Sequence, residues 1–293
     1  MSFSGSLVAI VTPMRPDGAV DLQAWMRLLD FHLANGTSGV VVGGTSGESA
    51  TLREAELREL TMRACERLHG RLAVIVGAGT SSTATTVERV RWLSDLAIDG
   101  LLLVTPAYNR PTQEGLYQHF AAAAAASAKP IVLYNVPSRT AVDMKPATVA
   151  RLSRVAHIVG VKEALAEPGR VRELLDAVTK GFVVLSGDDG TAREAIACGA
   201  RGVISVTANV VPRAMSEMVA AALAGDAARA RELDAPLAAL HRDLFVEANP
   251  IPVKWTLAQM GLIGDGLRLP LTTLSEAHHA VVRAAARAAG ALT

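Results

Sequence analysis

The chain contains few of the residues that would place it in several large classes of protein. It has only two cysteines, Cys65 and Cys198, and both lie in helix-like, alanine-rich stretches. Such cysteines are better explained as small core residues than as a disulfide framework or a metal site. The histidines show neither His-x-x-x-His nor His-Glu-x-x-His spacing, which disfavours a zinc-dependent enzyme and predicts no metal site.

An excess of charge of one sign and long apolar runs are also lacking. The formal net charge is +1, so no basic field indicates a nucleic-acid partner. No stretch reaches the roughly 18 unbroken apolar residues of a membrane span. The first residues lack the basic segment of a signal peptide. We therefore expect a cytoplasmic protein with neither a nucleic-acid nor a membrane partner.

The chain does contain eight short apolar runs, each followed by a helical stretch. The runs do not alternate with polar residues, which is typical of parallel strands buried on both faces. They cover Leu7–Thr12, Gly39–Gly43, Ala73–Gly77, Gly100–Thr105, Pro130–Asn135, His157–Lys162, Phe182–Gly187 and Gly202–Thr207. This pattern predicts an α/β fold, a (β/α)8 TIM barrel over residues 1–224, with a C-terminal helical extension over 225–293 in the same structural unit.

Helix signals lie between and after these runs. Asp21 is expected to cap a helix that ends at Gly36, and Thr51 with Glu54 predicts a capping box for a helix that ends at Gly70. After the last run, helices are predicted at about 212–224, 226–246, 252–260 and 275–289. The last three would form the extension.

The lysines are few, and only one of them ends a predicted strand. The chain has five lysines. Lys129 precedes a strand, Lys145 and Lys180 lie at helix ends, and Lys254 falls in the extension. Because the functional residues of such barrels lie at the C-terminal ends of the strands, Lys162 is the candidate.

Lys162 closes an apolar strand, where a neutral amine is favoured over a buried charge. A neutral amine is the nucleophile that carbonyl chemistry needs. The alternative is a lysine that reaches solvent or pairs with Glu163. Alternation along the strand, however, turns Glu163 to the other side. The position therefore predicts a lysine that forms an imine.

Other polar side chains at the strand ends suit imine chemistry. Tyr134 can transfer protons, with Thr45 as a relay and Tyr108 as a link to solvent. The alternative for Tyr134 is a packed aromatic residue bonded to backbone. The glycine-rich segment 43–47 either offers N–H groups to a carboxylate or forms a simple tight turn. Arg139 either holds a carboxylate with two hydrogen bonds or is solvated.

Two motif fragments carry little weight. Residues 77–82 match half of a dinucleotide fingerprint, but the third glycine is missing and a tight turn is favoured. Residues 44–47 do not form the Gly-x-Ser-x-Gly elbow, so a serine hydrolase is not supported.

Seven segments together resemble the dihydrodipicolinate synthase family over nearly the whole chain. They are Val8–Pro13, Gly44–Ser49, Thr105–Pro111, Tyr134–Thr140, Gly160–Ala164, Ser186–Asp189 and Asn249–Lys254. The resemblance implies the condensation of pyruvate with L-aspartate 4-semialdehyde, the first committed step towards lysine and diaminopimelate. No cofactor is implied beyond the covalent imine of pyruvate on Lys162.

The resemblance also implies roles for individual residues. Tyr134 would donate and accept protons, with Thr45 and Tyr108 completing the relay. Tyr108 would act across a dimer interface, so the chain would be a homo-oligomer, a tetramer made of two tight dimers. The expected substrate contacts are Ser46, Gly187, Ile204 and Arg139, the last holding the carboxylate of the semialdehyde.

Departures from the family pattern occur where feedback-regulated members bind lysine. The corresponding positions hold Glu54, Leu57, Ser81, Thr85 and Ala107, with Ser49 and Ala50 retained, so we expect weak or absent inhibition by L-lysine. Ser46 also replaces the second threonine of the usual Gly-Thr-Thr-Gly-Glu. Two alternatives remain open: a Schiff-base lyase of a sugar acid such as N-acetylneuraminate or a keto-deoxy acid, and a catalytically silent barrel.

Overall fold

The structure is a computed structural model that describes residues 3–293. Eight parallel strands close into a barrel in chain order. They are β1 (Gly5–Ala9), β2 (Gly39–Val42), β3 (Ala73–Gly77), β4 (Gly100–Val104), β5 (Ile131–Asn135), β6 (Ile158–Glu163), β7 (Val183–Ser186) and β8 (Gly202–Ser205). The predicted barrel is confirmed. Strand β1, however, begins before the start of the predicted run Leu7–Thr12 and ends before the end of that run.

Helices follow the strands and surround the barrel. They are α1 (Leu22–Ala34), α2 (Glu54–Leu68), α3 (Thr83–Ser94), α4 (Gln113–Ala125), α5 (Pro137–Thr140), α6 (Pro146–Leu152), α7 (Pro168–Ala177), α8 (Ala192–Ala197), the short 3-10 helix η1 (Thr207–Asn209) and α9 (Pro212–Leu223). Within residues 3–293, none of the helices has the length and apolar character needed to cross a membrane.

Further helices follow α9, as predicted. They are α10 (Ala227–Asp234), the 3-10 helix η2 (Ala235–Leu237), α11 (Ala238–Asp243), α12 (Ile251–Gln259) and α13 (Glu276–Ala288). The prediction of one continuous helix over 226–246 is wrong. Pro236 has no N–H to donate to the preceding turn, and the chain there tightens into η2. The division of the chain into a barrel over residues 1–224 and an extension over 225–293 stays a prediction.

One predicted helix start is confirmed and the other is wrong. The Asp21 carboxylate accepts a hydrogen bond from the N–H of Ala24 at 2.9 Å and caps α1. In α2 the N-cap residue is Arg53, whose N–H donates to the Glu56 carboxylate at 2.9 Å. Thr51 and Glu54 therefore do not form the predicted capping box.

Apolar side chains form one core inside the barrel and another between the strands and helices. Val41, Val132 and Leu185 belong to the inner core, whereas Val40, Leu133 and neighbouring helix residues form the outer one. Successive strand residues thus enter opposite cores. This arrangement explains why the strands are apolar throughout. Polar side chains are found mainly at the ends of the strands, where the barrel opens.

A buried histidine in α1 makes the fold sensitive to acid. His32 is fully buried, its Nδ1 lies 3.0 Å from Thr37 Oγ1, and burial lowers its pKa from 6.5 to about 3. The unfolded chain takes up this proton near pH 6.5 whereas the folded chain does so only near pH 3. The stability contributed by neutral His32 is therefore lost as the pH falls through this window, by about 1.4 kcal/mol per pH unit.

We predict that His32→Gln flattens the pH dependence of the free energy of unfolding between pH 6 and pH 4, because no imidazole remains to titrate at this buried position. Urea unfolding at a fixed protein concentration measures this dependence. Exposed His69 provides the matched control, since His69→Gln should leave the slope of the wild-type curve unchanged. Parallel curves for His32→Gln and wild type would contradict the prediction.

Candidate active site

A cavity of about 380 Å³ opens where the carboxyl ends of the strands meet. Its walls combine apolar side chains from inside the barrel with polar groups from the loops that follow the strands. Six of the eight predicted site residues line it: Thr45, Ser46, Tyr134, Arg139, Lys162 and Gly187. Residues separated by more than 100 positions in the chain therefore share one space.

Lys162 and Tyr134 are paired across β5 and β6. The two residues occupy one register position in adjacent strands. Lys162 is 4% exposed and Tyr134 7%, and the Lys162 Nζ lies 4.4 Å from the centroid of the Tyr134 ring. An amine and a phenol thus face the same small volume, an arrangement suited to imine formation with proton transfer.

Within residues 3–293 Lys162 has no carboxylate partner, and Glu163 lies on the opposite side of β6, as strand alternation predicts. The Glu163 carboxylate accepts hydrogen bonds from the side-chain amide of Asn135 and from the N–H of Leu165. Among residues 3–293, ion pairs form at Lys145 and Lys254 but not at Lys162. The alternative interpretation, a structural pair of Lys162 with Glu163, is therefore wrong.

Gly187 has no room for a side chain of its own, because the Lys162 side chain lies against it. A Cβ atom at Gly187 would lie 2.9 Å from Lys162 Cε and 2.8 Å from Ala164 Cβ. The N–H of Gly187 donates to the backbone oxygen of Glu163 at 2.6 Å. Gly187 thus lets β7 approach the lysine closely, a requirement that any larger residue would violate.

The segment Gly44–Gly47 turns sharply at the end of β2 and presents unpaired donors. The N–H of Gly47 and that of Ser49 both donate to the Gly44 oxygen, which closes the turn. In the part of the chain that the structure describes, neither Thr45 nor Ser46 donates its N–H to a protein acceptor. Adjacent free N–H groups in a turn form a site for an anion such as a carboxylate.

Asn249 connects this turn to Arg139, a role that sequence reasoning did not assign. Its Nδ2 donates to the Ser46 hydroxyl at 3.0 Å, and its backbone oxygen accepts from Arg139 Nη2 at 3.1 Å. Asn249 precedes α12 and lines the cavity. It lay within one of the matched segments, which was the only sequence signal for it.

A second buried lysine was also missed. Lys254 is fully buried in α12, and its Nζ pairs with the carboxylate of Glu48, just beyond the turn Gly44–Gly47. Burial lowers the pKa of Lys254, an effect that the charge of Glu48 opposes. Because its amine is occupied by this ion pair and does not line the cavity, Lys254 is not the candidate nucleophile.

Tyr108 and Ile204 lie outside the cavity. Tyr108 is 97% exposed, with a left-handed φ of 71°. Ile204 is buried in the inner core of the barrel and does not reach the cavity wall. No hydrogen bond joins Tyr134 to Thr45 within residues 3–293. The proposed proton relay is thus not assembled within the single chain.

A neighbouring cavity of about 560 Å³ includes four of the positions discussed for lysine regulation: Ser49, Ala50, Ser81 and Ala107. Leu57 does not line it, because its side chain packs in the outer core against Gly43. Glu54 pairs instead with Arg89. Leu57 and Ala107 therefore offer neither a polar group nor an aromatic ring at two of the positions discussed for lysine regulation.

The fold and the buried lysine at its mouth define a (β/α)8 barrel with a candidate amine nucleophile. The sequence profile of the dihydrodipicolinate synthetase family matches residues 2–289. The chain belongs to this family, whose members are lyases.

Individual relatives agree over almost their whole lengths. The 4-hydroxy-tetrahydrodipicolinate synthase of Stutzerimonas stutzeri is 53% identical over 289 residues, 99% of each chain. A crystal structure of the chloride-inhibited dihydrodipicolinate synthase of Acinetobacter baumannii, complexed with pyruvate, matches with a TM-score of 0.97 at 46% identity, covering 99% of this chain and 100% of that one. The Thermotoga maritima enzyme matches with a TM-score of 0.97 at 40% identity over both complete chains.

Proposed function

We propose that the chain condenses pyruvate with L-aspartate 4-semialdehyde to give 4-hydroxy-tetrahydrodipicolinate, the first committed step of lysine and diaminopimelate biosynthesis, in the cytoplasm. The observation that carries the proposal is a buried, unpaired Lys162 amine beside the Tyr134 phenol in one cavity. The names of the relatives and the pyruvate complex of the Acinetobacter baumannii enzyme support the choice of substrates.

In this mechanism the Lys162 amine adds to the keto carbon of pyruvate, and loss of water leaves an imine. Removal of a methyl proton converts the imine to an enamine, whose carbon attacks the aldehyde. The amine of the second substrate then adds to the imine carbon, closes the ring and displaces Lys162. Tyr134 donates and accepts the protons of these steps, with Thr45 as its relay. No cofactor besides the lysine itself takes part in this scheme.

The substrate carboxylates have separate proposed partners. The free N–H groups of Thr45 and Ser46 bind the carboxylate of pyruvate, with Gly187 completing the pocket beside it and Ile204 packed in the inner core beneath it. Arg139 binds the carboxylate of the semialdehyde through its planar guanidinium. Asn249 supports both sets by its bonds to Ser46 and Arg139.

Tyr108 is proposed to complete the site of a second copy of the chain. A tyrosine that is 97% exposed on a left-handed turn gains no packing within its own chain. In a neighbouring subunit its hydroxyl would connect the Tyr134 relay to solvent. We therefore propose a homo-oligomer, a tetramer built from two tight dimers.

Substrate comparison tests the proposed reaction. Turnover of L-aspartate 4-semialdehyde with pyruvate should greatly exceed the cleavage of N-acetylneuraminate or keto-deoxy sugar acids. Incubation with pyruvate and borohydride should leave a reduced adduct on Lys162, located by peptide mass mapping. Efficient cleavage of a sugar acid would instead indicate the lyase, and the absence of any adduct would indicate a catalytically silent barrel.

L-lysine is predicted to inhibit the enzyme weakly or not at all. Leu57 is buried in the core and Ala107 offers no aromatic wall, so neither of these two positions can contribute a contact to the effector. A titration with L-lysine at saturating pyruvate measures the effect, with L-arginine as a control for ionic strength. Potent inhibition by L-lysine alone would show that the prediction is wrong.

A further inference from the structure

A polar network lies behind the catalytic pair, on the outer face of β5 and β6. Asn135 follows Tyr134 in β5, and Glu163 follows Lys162 in β6. Like Tyr134 and Lys162, Asn135 and Glu163 lie opposite each other at one register position of the two strands. Both side chains are buried and face away from the cavity. We call Asn135, Asp143, Glu163 and Arg170 the rear network.

Asn135 is the centre of the rear network. Its Nδ2 donates to both Glu163 oxygens, at 3.1 and 3.0 Å, and to Asp143 Oδ1 at 2.8 Å. Its Oδ1 accepts from the N–H of Met144 at 2.9 Å. One amide thus joins the ends of β5 and β6 to the loop before α6.

Arg170 supplies the countercharge for the buried carboxylate of Glu163 and the half-buried carboxylate of Asp143. Its guanidinium donates to Asp143 at 2.5 Å, and its Nε lies 3.8 Å from Glu163. Burial raises the pKa of Glu163, while hydrogen bonds from Asn135 and from the Leu165 N–H, together with the charge of Arg170, act against this rise. The cost of burying Glu163 is one that a purely apolar contact would avoid.

Backbone bonds connect the rear network to the cavity wall. Glu163 Oε1 accepts from the N–H of Leu165 at 3.0 Å, and the N–H of Ala164 donates to the Asn135 oxygen at 3.0 Å. The Glu163 oxygen accepts from Gly187, which lies against Lys162. Movement of the Glu163 side chain would therefore be transmitted to Ala164 and Gly187, the residues of the cavity wall that flank the Lys162 side chain.

We propose that Glu163, held by Asn135 and Arg170, is a positioning residue that aligns the Lys162 amine with the Tyr134 phenol during imine formation. The proposal rests on the proposed function. Glu163 does not touch the substrate; it fixes the strand ends that carry the two reacting groups. A misplacement of about 1 Å can cost a reaction about 100-fold, so such a support has a large kinetic effect.

Glu163→Gln tests the proposal, because glutamine keeps the length but cannot accept hydrogen bonds from Asn135 at both positions or pair with Arg170. We expect kcat and the rate of adduct formation with pyruvate and borohydride to fall by about 10- to 100-fold. The KM for pyruvate should stay within about twofold. The turn Gly44–Gly47, which is proposed to bind the carboxylate of pyruvate, follows β2 and is not part of the rear network.

Arg170→Met provides a second variant, in α7 instead of a barrel strand, and the same pattern with a smaller decrease is expected. Asp99→Asn is the matched control: the Asp99 carboxylate holds the N–H of Val74 at 2.8 Å at the opposite end of the barrel, so kcat should not change. Wild-type adduct formation is measured first, and its absence would disprove the proposed function itself. If the wild type forms the adduct, unchanged kcat and adduct rates in folded Glu163→Gln, or in Arg170→Met should the former not fold, would overturn the positioning role.

Discussion

Lys162→Ala is expected to abolish covalent capture of pyruvate and to lower kcat by about 1,000-fold or more. Among the described residues that line the cavity there is no second lysine, and Lys254, the other buried lysine, is held by Glu48. Without the amine at position 162, the keto carbon of pyruvate has no nucleophile. Only binding and electrostatic effects would remain, and these cannot form the enamine.

Two matched variants make this result specific. Lys162→Arg keeps a long cationic side chain but cannot form the imine, so it should be as inactive as alanine. Lys180→Ala removes an exposed lysine outside the cavity and should retain wild-type turnover. The measurements are the mass of the borohydride-reduced protein and a steady-state assay with both substrates. An adduct of normal yield on Lys162→Ala would overturn the assigned chemistry.

Lys254→Met is expected to cost about 3–5 kcal/mol of unfolding free energy, because it leaves the Glu48 carboxylate buried without its ammonium partner. Both side chains are almost completely buried, and among the described residues 3–293 Glu48 would retain only the N–H of Arg268, at 3.1 Å, as a polar partner. Glu48 also follows the turn that contains Thr45 and Ser46. The variant should therefore raise the KM for pyruvate as well as lower stability.

The double variant Lys254→Met with Glu48→Gln separates the two causes. Removing both charges eliminates the unpaired carboxylate, so most of the lost stability should return. Urea unfolding at a fixed protein concentration, followed by fluorescence of Trp255 and the other tryptophans, measures the free energies. A single Lys254→Met variant as stable as wild type would show that the ion pair contributes no net stability.

Sequence patterns predicted those features that depend on nearby residues. The continuous apolar runs identified eight strands, and the barrel rule then directed attention to the residue at the end of each strand. Alternation along β6 correctly separated Lys162 from Glu163. The same reasoning misplaced the start of α2, because Arg53 and Glu56 form the bond expected of Thr51 and Glu54. Several residue types are compatible with a helix start, so competing caps differ by little energy.

Local periodicity and strand order therefore determined the barrel, the lysine at its mouth and the tyrosine beside it, since these follow from spacings of a few residues. The tertiary structure decided which distant residues support the cavity at the carboxyl ends of the strands. Asn249 meets Ser46 across 203 positions and Lys254 meets Glu48 across 206, and such contacts leave no periodic signal in the sequence. Only when the helices after α9 fold back does burial remove water from these groups, and each then requires its distant partner.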